Sequence, residues 1–132
     1  MIIRTPVEDV TIRTLKIGDV FHVSGIIYTI TDQADKRTLK LPVEPPINPK
    51  GAIVYHCGPI VQKIDQRWVV VSAGPTTSSR MDKYIPDLIR KFGVKVVIGK
   101  GDLSEKVVTA CRKYGAIYGI FPGGMGALAA RS

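Results

Sequence analysis

From Ala52 onward, short runs of β-branched residues each end at a glycine-rich turn, and the last three of the four give way to a helical pattern. Ala52 to His56 stops at Gly58-Pro59, and Arg67 to Ala73 stops at Gly74-Pro75. Val94 to Ile98 runs into Gly99-Lys100-Gly101-Asp102, and Ala116 to Phe121 into Pro122-Gly123-Gly124. Met81, Tyr84, Ile85, Leu88, Ile89 and Phe92 recur at helical spacing before Gly93, a capping residue. Val107, Val108 and Cys111 mark the inner face of a second helix ended by Gly115, and a third begins at Met125. Alternation of this kind predicts a parallel sheet backed by helices. Right-handed crossovers put the carboxyl ends of such strands at one sheet edge, so three strand-to-helix turns should meet there.

The first half has a different rhythm. Asp9 to Thr14 alternates as a strand, Lys16 to Asp19 reads as a turn, and Val20 to Ile30 is β-rich with a bend or hairpin corner at Gly25. Thr31-Asp32 offers an N-cap for a helix over Gln33 to Leu39, and four prolines make Leu41 to Gly51 an extended connector. The expected fold is α/β with three layers, an antiparallel β layer from the first half lying on the parallel sheet. With 132 residues, one domain over 1–132 is expected.

No stretch approaches the ~18 apolar residues of a membrane span, and the start lacks a secretory core, so a cytoplasmic protein with no membrane partner is expected. Nineteen Lys and Arg against eleven Asp and Glu give +8, a surface suited to anions. The positive residues are too dispersed for a nucleic-acid tail. Cys57 and Cys111 are too few to hold an iron–sulfur cluster and read as small buried hydrophobes.

The turn Gly74-Pro75-Thr76-Thr77-Ser78-Ser79-Arg80 carries the most chemistry. It delivers four hydroxyls to a predicted helix start, where free N–H groups and the positive dipole end favour an anion. Arg80 lies one helical turn beyond Thr76, and its planar fork suits a carboxylate. Lys100 sits between Gly99 and Gly101, which lets backbone and ammonium approach a ligand closely. Each feature alone also has an ordinary reading: Thr76 or Thr77 as a cap, Lys100 as a surface lysine, Gly123-Gly124 as a tight turn. Together they suit the holding of a small polyanion while another component breaks bonds.

The block Ser72-Ala73-Gly74-Pro75-Thr76-Thr77-Ser78-Ser79-Arg80-Met81-Asp82 resembles the signature of the class I fumarate hydratase and L(+)-tartrate dehydratase beta subunits. Val54 to Pro59, Ile98 to Gly101, Gly123-Gly124 with Ala127 to Ala130, and the opening Leu15 to Asp19 and Ser24 to Thr29 agree in order. The resemblance implies a swivelling β/β/α domain in a hetero-oligomer with an alpha subunit bearing a [4Fe-4S] cluster. It implies hydro-lyase activity on a small 2-hydroxy dicarboxylate, Thr76 as the proton-handling residue, and Arg80, Lys100, Thr77, Gly74 and Gly101 as substrate-binding residues. Relatives usually carry Arg-Asp-x-Ala-His where this chain has Thr31-Asp32-Gln33-Ala34-Asp35, which leaves the choice of hydroxy acid open. Many of them also continue well past the position of Ser132. The alternative is a non-catalytic module that binds anions or nucleic acid on the same fold.

Overall fold

The computed structural model describes residues 1–31, 49–122 and 126–131. The chain runs through β1 (Ile2–Arg4), α1 (Asp9–Arg13), β2 (His22–Ser24), β3 (Ile27–Ile30), β4 (Ile53–His56), β5 (Ile60–Ile64) and β6 (Arg67–Ser72). After two 3₁₀ turns, Ser78–Arg80 and Asp82–Tyr84, come α2 (Ile85–Phe92), β7 (Val96–Gly99), α3 (Glu105–Tyr114), β8 (Ile117–Ile120) and α4 (Gly126–Arg131).

β3, β4, β7 and β8 form one sheet in that order, every pair parallel. Ile53 lies opposite Val96 and Val54 opposite Val97. Side chains alternate across a strand, so each pair serves a different face. Ile53 and Val96 pack with Ile3, Val7 and Ile12, whereas Val54 and Val97 pack with Ile85, Leu88, Ile89 and Val107. Both faces are therefore buried, which is why the strands read as unbroken apolar runs. Helices α2 and α3 cover one face; α1 and the β1–β2 pair cover the other.

The α/β class, the parallel sheet and an antiparallel β element are as expected. The antiparallel element, however, comes from the middle of the chain. β5 and β6 form a hairpin whose turn residues, Asp65 and Gln66, both have positive φ, the geometry that matches strand twist in a two-residue loop. Arg67 to Ser72 therefore does not join the parallel sheet. The first-half layer is instead the parallel pair β1–β2.

Asp9 to Thr14 is helical rather than extended. Only Ile12 is buried and Val10 is 63% exposed, so the alternation carried no packing information. Asp9 in the first turn and Arg13 in the last suit the helix dipole. Lys95 anchors this helix by bridging Asp9 and donating to the Tyr114 carbonyl, and its ammonium holds the Asp9 carboxyl below the usual range. Gly25, at φ +109°, is a bend but no hairpin corner: β2 joins β1, and β3 joins the main sheet. The Lys16–Asp19 turn forms as read, closed by the Asp19 N–H to the Lys16 carbonyl.

The helix read from Met81 starts only at Ile85, with Pro86 in its first turn, a position that needs no N–H. Met81, between the two 3₁₀ turns, is buried and Tyr84, in the second, is partly so. Gly93 closes α2 at φ +71°, its N–H reaching the Ile89 carbonyl. On α3, Val107 and Ala110 are buried and Cys111 packs partly buried against the same core as expected, while Val108 is exposed. The predicted helix Gln33 to Leu39 and the turn Gly123-Gly124-Met125 lie outside the described residues, as does the connector from Leu41 except Pro49 to Gly51. Among the described residues no helix is long and apolar enough to cross a membrane.

Ile85 is fully buried at the centre of the helix-side core. Replacing it with alanine should cost about 3 kcal/mol, read as a lower urea midpoint with an unchanged m-value.

Candidate anion-binding site

The turn after the hairpin returns to the sheet. The Thr76 N–H donates to the His56 carbonyl at 2.7 Å, at the end of β4, and the Ser78 N–H donates to the Lys100 carbonyl at 3.1 Å, just past β7. Thr77 and Lys100 form a parallel bridge. α4 closes the third side: the Ala73 N–H donates to the Gly126 carbonyl at 3.0 Å. Two of the three turns expected at one edge, those carrying Thr76 and Lys100, do meet there, although the first arrives from outside the sheet.

Between them lies a cleft of about 450 Å³, lined by Thr31, Gly58, Gly74, Pro75, Thr76, Thr77, Arg80, Met81 and Lys100. Five of the six residues expected to bind or process substrate line it: Gly74, Thr76, Thr77, Arg80 and Lys100. Gly101 does not. It sits beside the cleft at φ +84°, its carbonyl accepting the Tyr118 hydroxyl at 3.0 Å. Two cations and three threonines thus share a wall in which, among the described residues, there is no carboxylate. Like charges left together repel, so an anion between them is favoured.

Arg80 Nη2 donates to Thr76 Oγ1 at 2.6 Å. A guanidinium has further N–H groups for a ligand. Asp82 does not compete for these cations. Its two oxygens accept the Ser104 N–H and hydroxyl at 2.6 and 2.7 Å, tying the turn to the start of α3.

The expectation of free N–H groups at a helix start needs correction. No α-helix begins at residue 76, and the Thr76 and Ser78 N–H groups are already bonded. Ser78 also points inward, to His56 Nδ1 at 2.8 Å, with both residues fully buried. Among the described residues His56 Nε2 has no partner. Burial lowers the His56 pKa from 6.5 to about 4, so the ring is neutral at pH 7. Sequence reasoning missed this strut because His56 and Ser78 sit on different segments and neither belongs to a local motif.

Gly99 serves the strut rather than a ligand. A Cβ there would lie 1.8 Å from Ser78 Oγ and 3.2 Å from His56 Nδ1. Its glycine is a matter of space, and only Gly101 uses the positive φ.

The thiols do not fit an iron–sulfur cluster. Cys57 is buried, Cys111 sits on α3, and burial pushes both up in pKa, away from the thiolate form that ligates metal. Among the described residues no three His, Cys, Asp or Glu side chains group to hold a metal. A larger hollow of about 780 Å³, between residues 15–23 and β8, is mostly apolar and shares no lining residue with the cleft.

Two outcomes follow from the strut. With a folded pKa of about 4 against 6.5 unfolded, stability is complete above about pH 6.5, and about 3 kcal/mol is lost as pH falls towards 4. The unfolded chain takes up the proton first. His56→Gln should flatten that slope in urea midpoints measured at pH 7 and pH 4.5. Gly99→Ala should destabilise by about 2 kcal/mol, and Ser78→Gly should cost less in that background than in the native one, because it removes the obstructing oxygen.

A family model described as Fumarase C-terminus matches residues 2–132. The L(+)-tartrate dehydratase subunit beta of Escherichia coli (strain K12) is 36% identical over 129 residues, covering 98% of this chain and 64% of the relative. The putative L(+)-tartrate dehydratase subunit beta of Methanocaldococcus jannaschii is 36% identical over 124 residues, covering 92% of this chain and 64% of the relative. A putative fumarate hydratase class I from Geobacillus stearothermophilus is 39% identical over 117 residues, covering 88% of this chain and 22% of that protein. The chain thus spans 64% of the length of the tartrate dehydratase relatives. With the family model matching from Ile2 to the last residue, the chain belongs to the fumarase C-terminus family.

Proposed function

We propose that this chain is the substrate-gripping part of a two-subunit hydro-lyase that adds or removes water across a small 2-hydroxy dicarboxylate. The observation that carries the reading is the cleft in which Thr76, Arg80 and Lys100 converge with no carboxylate in its described lining. The names of the relatives support it. In this reading Arg80 and Lys100 hold the two carboxylates, with Thr77 and the Gly74 backbone closing around them. Removing a proton from carbon beside a carboxylate pushes negative charge onto that carboxylate, and the same cations offset it. Thr76, held by Arg80 at 2.6 Å, stands ready to take or orient that proton.

The departing hydroxyl belongs to a partner. A separate alpha subunit bearing a [4Fe-4S] cluster is assigned that part, and no thiol of this chain is assigned to it. Thr31 lies in the cleft wall where relatives usually carry an arginine, so one cationic grip is replaced by a hydroxyl.

The test is co-production with the alpha subunit, anaerobic cluster reconstitution and assay on malate, fumarate and tartrate. Turnover of one of them is expected. Arg80→Ala should lower kcat/KM by about a thousandfold, and Arg80→Lys should restore little, since an ammonium lacks the planar fork. Thr76→Val should lower kcat with KM nearly unchanged. Absence of turnover with an intact cluster, together with salt-sensitive binding of RNA or DNA, would favour the non-catalytic alternative.

A further inference from the structure

The hairpin of β5 and β6 is unaccounted for by the cleft. Ile60, Val61, Ile64, Trp68, Val69, Val70 and Val71 are all exposed on it, Trp68 by 70%. Although α4 packs against β6, these side chains stay exposed, and an apolar patch of this density marks a contact surface. Its cross-strand pairs set Val61 beside Val70 and Lys63 beside Trp68 on one face, with the Lys63 ammonium 5.8 Å from the Trp68 ring centre.

The hairpin leaves the fold at Gly58 and returns at Gly74, and both residues line the cleft. Whatever seats on the hairpin therefore stands at the cleft's rim. The charge on it is Lys63 and Arg67 against Asp65, on a chain of net charge +8. Two copies meeting here would bring basic surface to basic surface, whereas an acidic partner is attracted.

We propose that the face carrying Val61, Lys63, Trp68 and Val70 is the docking surface for the subunit that completes the cleft, through an apolar patch of that subunit rimmed by carboxylates. The proposal rests on the two-subunit reading above and deepens it by naming the surface. Trp68 is the chain's one tryptophan, so it reports docking directly.

The experiment labels the chain with 5-fluorotryptophan and follows its single ¹⁹F resonance. Titration with the alpha subunit should move that resonance to a new position at stoichiometry, and dilution of the chain alone should leave it in place. The double variant Val61→Glu, Val70→Glu should weaken the partner at least about a hundredfold in sedimentation velocity. A resonance that ignores the alpha subunit would overturn the proposal even if the variant failed to fold. So would one that moves with the chain's own concentration, which would make a second copy the occupant. Unchanged affinity in a folded variant would do the same. The two readings fail separately: a shifted resonance without turnover supports docking and sinks the hydro-lyase assignment, and turnover with a still resonance does the reverse.

Discussion

The site depends on one turn being nailed across the ends of two strands. Residues 76–80 bond to β4 through the Thr76 N–H and to the segment after β7 through the Ser78 N–H. The buried His56–Ser78 pair fixes the same turn from beneath. A polar pair in such surroundings is stabilising only while both partners are present, because a lone buried group loses water without replacement. The strut is thus a constraint on the whole cleft. It sets where Thr76 and Arg80 stand relative to Lys100, and it forbids a side chain at Gly99.

That constraint has a functional corollary. A binding group contributes most when its position is set before the ligand arrives. Arg80 is braced by Thr76, Thr76 by β4, and the following turn by Asp82 on the start of α3. The cations are held on a frame anchored in both cores of the sheet, while the exposed hairpin rises from the same rim. Grip and contact surface are neighbours.

Much of this was legible in the residues. The unbroken apolar run Val94 to Ile98 announced a buried parallel strand, Gly93 closed its helix as expected, and the hydroxyl-rich turn with Arg80 and Lys100 marked the cleft. Local pattern failed where it was short or ambiguous. Five residues at Asp9 to Arg13 contain too few buried positions to separate a period of two from one of 3.6. Ile60 to Ile64 went unread as a strand because Gln62 and Lys63 interrupt both of its faces, so five residues carry no clean alternation.

What the sequence determined by itself was the set of chemical groups and the kind of fold able to gather them. Alternation of strands with helices dictates parallel pairing, and glycine-rich strand ends dictate where turns fall. Only the tertiary structure decided which groups remain free to act. The N–H groups of Thr76 and Ser78 are spent on the frame, the Ser78 hydroxyl turns inward, and Arg67 to Ser72 pairs with a hairpin neighbour instead of the sheet. The reason is that hydrogen-bond partners distant in sequence compete for the same donors and strand edges, and no local pattern records the winner.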